Sequence, residues 1–337
     1  MIEVAFPGLG IENFKLNPVA FEIFGLEVRW YGLCIVTGMI LAFLYANYRA
    51  KQEGFTLDDL MDVGIYTILF GVLGARLYYV LMKLDTYILP NRSAWENFKD
   101  MINIRGGGLA IYGGIIAGAL TLFVFCRIKK KDWRRLFDLV APGVMIAQAM
   151  GRWGNFFNGE AHGGIVPEGS LLYFLRMGLK PNDLTPGMAY VHPTFLYESL
   201  WNILGFVLIN VFIYKRKKFN GQIVLTYAAW YGFGRMFIEG LRTDSLYLGG
   251  GDSGIRVSQL VGFVCFVVGT ALMVYMLIRT KKQEMAGTYV PVFEGVTMQA
   301  KATEDEQEND PEEEIENEPE TDTTEQNTEA TTDGTPN

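Results

Sequence analysis

Cysteine is scarce: Cys34, Cys126 and Cys265 are the three in 337 residues, each in or beside an apolar stretch. An odd number at such wide spacing argues against a disulfide framework and against a cysteine metal site. The N-terminus lacks the charged start and small-residue cleavage site of a signal peptide, and reads as mature sequence. Residues 301–337 lack almost all apolar side chains and hold fifteen Asp and Glu against one basic residue, Lys301. Such a composition cannot bury enough surface to offset its ordering entropy, so 283–337 is expected to be an acidic, disordered cytoplasmic tail. Removing fifteen negative charges and one positive charge from the formal net −8 leaves +6 for the rest. The remainder is therefore basic, and more apolar than the whole-chain value of 50%.

That remainder carries long apolar runs. A helix needs about 20 mostly apolar residues to cross the hydrocarbon core of a bilayer. The stretches 30–48, 61–82, 109–127, 195–214 and 257–279 qualify, and 136–157 and 221–239 are weaker, being broken by Gly and charge. Four basic clusters mark cytoplasmic loops: Arg49/Lys51, Arg127 to Arg135, Lys215 to Lys218, and Arg279 to Lys282. An even number of crossings must separate neighbouring clusters, which holds only if both weak stretches cross. The expectation is an all-α integral membrane protein: a bundle of about seven transmembrane helices, N-terminus outside, C-terminus cytoplasmic. Residues 1–282 form the membrane domain, with extracellular segments at 84–107 and 158–194, and 283–337 the tail.

Charge inside membrane helices is costly and rare. The alternating topology gathers it at one end. Arg76, Arg152, Asn155, Arg235, Glu239 and Arg242 fall at the outer ends of outward-running spans. Tyr112, His192 and Glu198 fall at the outer starts of inward-running ones, and Arg29, Trp30 and Tyr31 open the first. Tyr231, Arg235, Glu239 and Arg242 recur at helical spacing on one face. Guanidinium stays charged and grips phosphate through two parallel hydrogen bonds, so arginines meeting at the outer leaflet suit a phospholipid headgroup. Arg242, at a helix end, also suits simple snorkelling to the headgroups. Gly113 and Gly114 permit close approach of a ligand or, the stronger reading, of another helix.

The stretch Gly151-Arg152-Trp153-Gly154-Asn155-Phe156-Phe157-Asn158-Gly159-Glu160 resembles the signature of the prolipoprotein diacylglyceryl transferases. Further blocks match that family in order: 29–33 (Arg-Trp-Tyr-Gly-Leu), 74–79 (Gly-Ala-Arg-Leu-Tyr-Tyr), 106–114 (Gly-Gly-Gly-Leu-Ala-Ile-Tyr-Gly-Gly), 192–198 (His-Pro-Thr-Phe-Leu-Tyr-Glu) and 231–242. The resemblance spans roughly residues 15–282. It implies transfer of the diacylglyceryl group of phosphatidylglycerol to the lipobox cysteine thiol of a preprolipoprotein signal peptide. A thioether forms and glycerol phosphate leaves, at the outer face of the bacterial cytoplasmic membrane. No metal, no organic cofactor and no nucleic acid take part. Arg152 and Arg235 match the family's essential arginines, and Tyr31, Asn155, Glu160 and Glu239 match other functional positions.

The catalytic candidates are thus Arg152, Arg235, Tyr112, Glu160 and Glu239. Those for substrate binding are Tyr31, Arg76, Asn155, His192, Arg242, Gly113 and Gly114. One departure stands out: many members carry His where this chain has Tyr112. A phenol, with a reference pKa near 10, is a poor base at neutral pH. Glu160 and His192 remain as acceptors of the thiol proton, His192 equally as a helix-capping residue beside Pro193. Two rival readings stay open: a transporter or flippase for an anionic lipid or solute, and a noncatalytic scaffold held by ion pairs. The first requires polar residues through both leaflets, whereas the inner halves of the spans read as nearly all apolar.

Overall fold

The computed structural model describes residues 1–89, 91–104, 107–180, 187–248 and 254–293. Gly106 of the glycine block, and the acidic tail from 294 onward, lie outside the described residues. The helices are α1 (Trp30–Glu53), α2 (Leu57–Met82), α3 (Leu84–Tyr87), α4 (Ala94–Ile102), α5 (Ile111–Ile128), α6 (Trp133–Asn158), α7 (Thr194–Leu208), α8 (Gln222–Leu241) and α9 (Val257–Met285). The α7 axis continues through a π turn, Ile209–Ile213, and a short 3₁₀ turn, Tyr214–Arg216. All seven stretches expected to be helical are helices.

Five of these segments are long and apolar enough to cross a membrane: α1, α2, α5, α9, and Thr194–Arg216 through the π turn. This is a helical, multi-pass membrane protein. The side chains of α1, α2 and α9 facing away from the bundle are mostly exposed and aliphatic or aromatic, among them Ile40, Leu44, Ile65, Leu69, Val264 and Leu272, as expected of a surface solvated by lipid. Helices α6 and α8 have similar length but carry Arg135, Asp138 and Arg152, and Arg235 and Glu239. Their polar residues turn inward. Helix α6 is the hub, packing on α1, α5, α7 and α8, while α8 packs mainly on α9.

Helices α7 and α8, which bring the polar residues together, are latched by two tryptophans. Trp201 and Trp230 stack at 4.1 Å, and each indole N–H donates to the other's backbone carbonyl, at 3.0 and 2.9 Å. A Cβ on Gly234 would come within 2.1 Å of the Trp201 ring nitrogen, and one on Gly205 within 2.3 Å of that of Trp230. The latch therefore requires glycine at both places.

The expectation of an all-α chain needs one correction. Two small antiparallel sheets flank the bundle. Strands β1 (Ile2–Phe6), β2 (Ile11–Leu16), β5 (Met177–Lys180) and β6 (Ala189–Val191) form one in the order β2-β1-β5-β6, and β3 (Val19–Ile23) pairs with β4 (Leu26–Arg29) in the other. The first sheet joins the N-terminus to the 158–194 segment, with Val4 opposite both Phe14 and Leu179. Val4, Phe6, Met177, Leu179 and Val191 bury themselves against Phe156 of α6 and Phe195 of α7. These strands are three to six residues long, and β1 pairs with β5 across more than 150 positions of sequence, so alternation within any one of them is a weak signal.

In the other expected loop, α4 is amphipathic. It is capped by Ser93, whose hydroxyl accepts from the Glu96 N–H while the Glu96 carboxylate accepts from the Ser93 N–H. Those hydrogen bonds hold the Glu96 carboxyl below its ordinary range. The helix leaves Trp95, Phe98 and Ile102 exposed. Past Met285, residues 286–293 do not leave the bundle: Tyr289 donates to the Lys218 carbonyl, and Val292 is buried. Ordered chain thus continues beyond the boundary drawn at 282.

Candidate active site

The C-terminal ends of α6 and α8 meet the start of α7, and Glu198 lies at their junction with its side chain 4% exposed. Its Oε2 is 2.6 Å from the Arg152 guanidinium. Its Oε1 is 2.6 Å from that of Arg235 and 3.5 Å from that of Arg242. Arg235 also pairs with Glu239 one turn on, at 2.5 Å. Arg242, just past the end of α8, grips Asp244 through two hydrogen bonds of 2.9 and 2.7 Å. Burial works against the ionised form of Asp244, but the bonds from Arg242 prevail and hold its carboxyl below the usual range. Arg256, ahead of α9, donates to the Glu239 carbonyl and ties that helix to the site.

Sequence reading placed Glu198 near this end and gave it no role, and it did not single out Arg256. The available signal was energetic. A carboxylate in an apolar helix needs a cation partner, and Glu198 has three.

Arg152 begins a second chain of contacts. Its guanidinium lies 3.4 Å from the Asn155 side-chain oxygen, and the Asn155 amide donates to Glu160 at 3.1 Å, as does that of Asn158. Glu160 is exposed at the rim. Tyr31 lies over Gly154, where a Cβ would come within 2.6 Å of its ring, and its neighbour Trp30 stacks on Phe157 at 5.1 Å. Arg152, Asn155, Glu160, Arg235, Glu239 and Arg242 are therefore brought together, with Tyr31 of α1 packed against the same turn of α6.

Arg76, Gly113, Gly114 and His192 make their contacts elsewhere, while Tyr112 meets α9 beside the cluster. Arg76 is buried, and four of its N–H groups are taken by the carbonyls of Asp100, Met101, Gly107 and Gly108, at 2.8 to 2.9 Å. That is a clamp on the segment between α4 and α5. A Cβ on Gly113 would lie 2.3 Å from the Gly74 carbonyl oxygen and 2.4 Å from the Tyr78 Cβ, while Gly114 faces Gly71 and Ala75. Both glycines serve the close contact of α2 with α5. The Tyr112 hydroxyl lies 3.3 Å from that of Ser258, linking α5 to α9.

His192 is buried, with Nδ1 3.3 Å from the Tyr197 hydroxyl, and burial holds its pKa below the ordinary imidazole value. Its backbone exchanges hydrogen bonds with Gly163 and Gly164, whose own neighbour across the chain is Leu241. It pins the loop after α6 to the end of α8.

The opposite end of the bundle holds a polar cluster that hydropathy hides. Lys217, counted as a loop cation, is buried, its ammonium 2.7 Å from both oxygens of Glu53 and 2.9 Å from Asp138. Tyr214 donates to Glu53, and the backbone N–H groups of Gly221 and Val224 donate to Asp138.

The chain matches the family model for prolipoprotein diacylglyceryl transferase over residues 18–275. It is 42% identical over 272 residues to phosphatidylglycerol–prolipoprotein diacylglyceryl transferase 1 of Clostridium perfringens, covering 80% of this chain and 97% of that one. It is 42% identical over 270 residues to the enzyme of that name from Clostridium kluyveri, covering 79% and 99%. The Streptococcus pneumoniae (strain Hungary19A-6) enzyme is 44% identical over 261 residues, covering 77% and 94%. The arginine cluster falls within the matched region, and the chain belongs to the prolipoprotein diacylglyceryl transferase family, a family of transferases.

Proposed function

We propose that this chain crosses the bacterial cytoplasmic membrane seven times, N-terminus outside and C-terminus inside, with 1–282 as its membrane domain and an acidic cytoplasmic tail beyond. There it moves the diacylglyceryl group of phosphatidylglycerol onto the lipobox cysteine of a preprolipoprotein signal peptide, at the outer leaflet. The relatives' names supply the two substrates. The observation that carries the reading is the meeting of Arg152, Arg235 and Arg242 on the single carboxylate of Glu198.

A thiolate must attack the glyceryl carbon bonded to the phosphate oxygen. The C–S bond forms as that C–O bond breaks, and the electron pair leaves on the oxygen of the departing glycerol phosphate. Charge grows there, and guanidinium groups in a water-poor site stabilise it strongly. Arg152 and Arg235 take that role. Glu198 and Glu239 hold them in place beforehand, and Arg242 adds a third positive group at the mouth. The same field favours ionisation of the incoming thiol, whose reference pKa is near 8.5.

Glu160 is the candidate for the thiol proton. It is exposed, and Asn155 connects it to Arg152. Glu198 is a poorer base, since its oxygens are engaged by arginines. The burial of His192 and its bonds to the loop favour a positioning role over proton transfer. Tyr112 acts as a hydroxyl donor that orients the headgroup, and Tyr31 lines the same cleft. Arg76, Gly113 and Gly114 support substrate binding indirectly, by shaping the α2–α5 wall.

The test is transfer in detergent. Purified protein receives phosphatidylglycerol and a lipobox peptide carrying either Cys or Ser, and the products are read by mass. A Cys-dependent diacylglyceryl adduct with release of glycerol phosphate is expected. No adduct from folded, lipid-binding protein sinks the transferase reading and brings the transporter forward.

A further inference from the structure

We infer that Ser258, at the start of α9, selects the lipid headgroup: with Tyr112 it forms a pair of hydroxyls that takes the glycerol diol of the lipid whose phosphate the arginines hold. The inference rests on the proposed transfer function and names what that site reads in its lipid.

Helix α9 is fastened to the end of α8 on both sides of Ser258. Two residues before it, Arg256 donates to the Glu239 carbonyl, and the residue after it, Gln259, donates to the Met236 carbonyl at 3.0 Å. One turn further on, Gly262 lies against α8, where a Cβ would come 3.3 Å from the Arg235 Cβ. Ser258 and Gly262, four residues apart, share a face of α9. The serine is therefore one turn, about 5.4 Å, along from the point where α9 touches Arg235. From the other side comes Tyr112, in the first turn of α5, its hydroxyl 3.3 Å from that of Ser258. Both residues are partly exposed.

The pair is loosely made. Bonds between hydroxyls centre at about 2.7–2.8 Å. Helix α5 packs chiefly on α2, and α9 on α8. Among the described residues the Tyr112–Ser258 contact is the one side-chain hydrogen bond between α5 and α9, and neither hydroxyl has another partner. Nor is Ser258 a helix cap, since Arg256 holds the N-cap position of α9 and no side chain caps it. Each hydroxyl offers one donor and two acceptor lone pairs, so a diol inserted between them finds both. An ammonium headgroup needs a free carboxylate instead. Glu198, Glu239 and Asp244 are each held by arginine, and Glu160 lies at the rim beyond Asn155. A headgroup without hydroxyls leaves the pair unmatched on its half-buried side, which weakens binding.

Full-length protein in mild detergent is given phosphatidylglycerol or phosphatidylpropanol, which has the same phosphate and charge without free hydroxyls. Native mass spectrometry measures retention of each, and transfer to a lipobox peptide is timed alongside. Wild type should hold phosphatidylglycerol about tenfold more tightly than phosphatidylpropanol. Ser258→Ala should lose that tenfold for phosphatidylglycerol and hold the two lipids alike, with the loss in transfer appearing in KM. Ser258→Thr keeps a hydroxyl and should keep the preference. No preference in wild type, or the same preference in Ser258→Ala, overturns the assignment. Equal loss of both lipids in Ser258→Ala also overturns it, as the mark of a structural serine. Tighter retention of phosphatidylethanolamine than of phosphatidylglycerol by wild type overturns the diol as the recognised group. A wild type that transfers nothing yet shows the Ser258-dependent preference defeats the transfer function and supports the headgroup assignment; transfer without that preference does the reverse.

Discussion

Two ion-pair clusters lie at opposite ends of the bundle, and they differ in closure. At one end Lys217, Glu53 and Asp138 have side chains 0% exposed. The ammonium is shared by two carboxylates, and the remaining carboxylate lone pairs accept from Tyr214, Gly221 and Val224. At the other end Arg152, Arg235 and Arg242 keep 22%, 11% and 10% of their side chains exposed, and three guanidiniums converge on Glu198. A buried charge that is fully partnered has no capacity left for a ligand and acts as a pin. A cluster with more N–H donors than acceptors, open on one side, can take another anion. Burial of charge is therefore not by itself a sign of a site; incomplete satisfaction beside an opening is.

The comparison breaks most sharply at Lys217. Lys217→Met leaves two buried carboxylates without their cation and should destabilise the fold by about 3–5 kcal/mol. The surviving folded fraction should keep its KM for lipid. Denaturation in detergent alongside kinetics checks this, and normal stability with lost transfer would make the Lys217 cluster functional.

Next in size are Arg152→Lys and Arg235→Lys. Each keeps the charge and loses the planar fork, so transfer should fall by about 100- to 1,000-fold while unfolding is little changed. Near-normal rates in either variant would remove that arginine from the mechanism. Glu198→Gln separates holding from binding. It removes the carboxylate that competes with phosphate, so KM should fall. The arginines lose their common anchor, so kcat should drop about tenfold. A raised KM would instead place Glu198 in direct contact with substrate.

Smaller effects sharpen the picture. Tyr112→Phe deletes the hydroxyl that meets Ser258, and a loss of about threefold in kcat fits an orienting donor; a hundredfold loss would restore it as an acid or base. His192 gives the smallest effect, in pH. Its folded pKa is depressed by burial, so the neutral ring is favoured in the fold. Its contribution is intact above the unfolded value near 6.5 and is lost as pH falls through the folded value. Wild type should lose stability below about pH 6.5 by a margin that His192→Asn does not show. Parallel curves for the two proteins would contradict this.

Much was fixed locally. Apolar runs of sufficient length are helices wherever they occur, because a backbone in lipid must satisfy its own hydrogen bonds. The weak stretches containing Arg152 and Arg235 are helices too, and their charges mark the candidate site because such residues are costly in a membrane helix. Partnership was not legible. Arg76 looked equivalent to Arg152 in the sequence, yet the fold surrounds it with four backbone acceptors and leaves Arg152 partly exposed against Glu198. Lys217 sat in a run of loop cations and is buried against acids from α1 and α6. Glu198 was one acid near the start of a helix and is where α6, α7 and α8 meet. The sheet pairs residue 4 with residue 179. Sequence by itself determined which segments are helical and which charged residues are expensive, since periodicity and transfer cost are properties of neighbouring residues. Which charges meet, which are left open to a ligand and which are closed was decided only by tertiary structure, because those contacts join residues dozens to hundreds of positions apart.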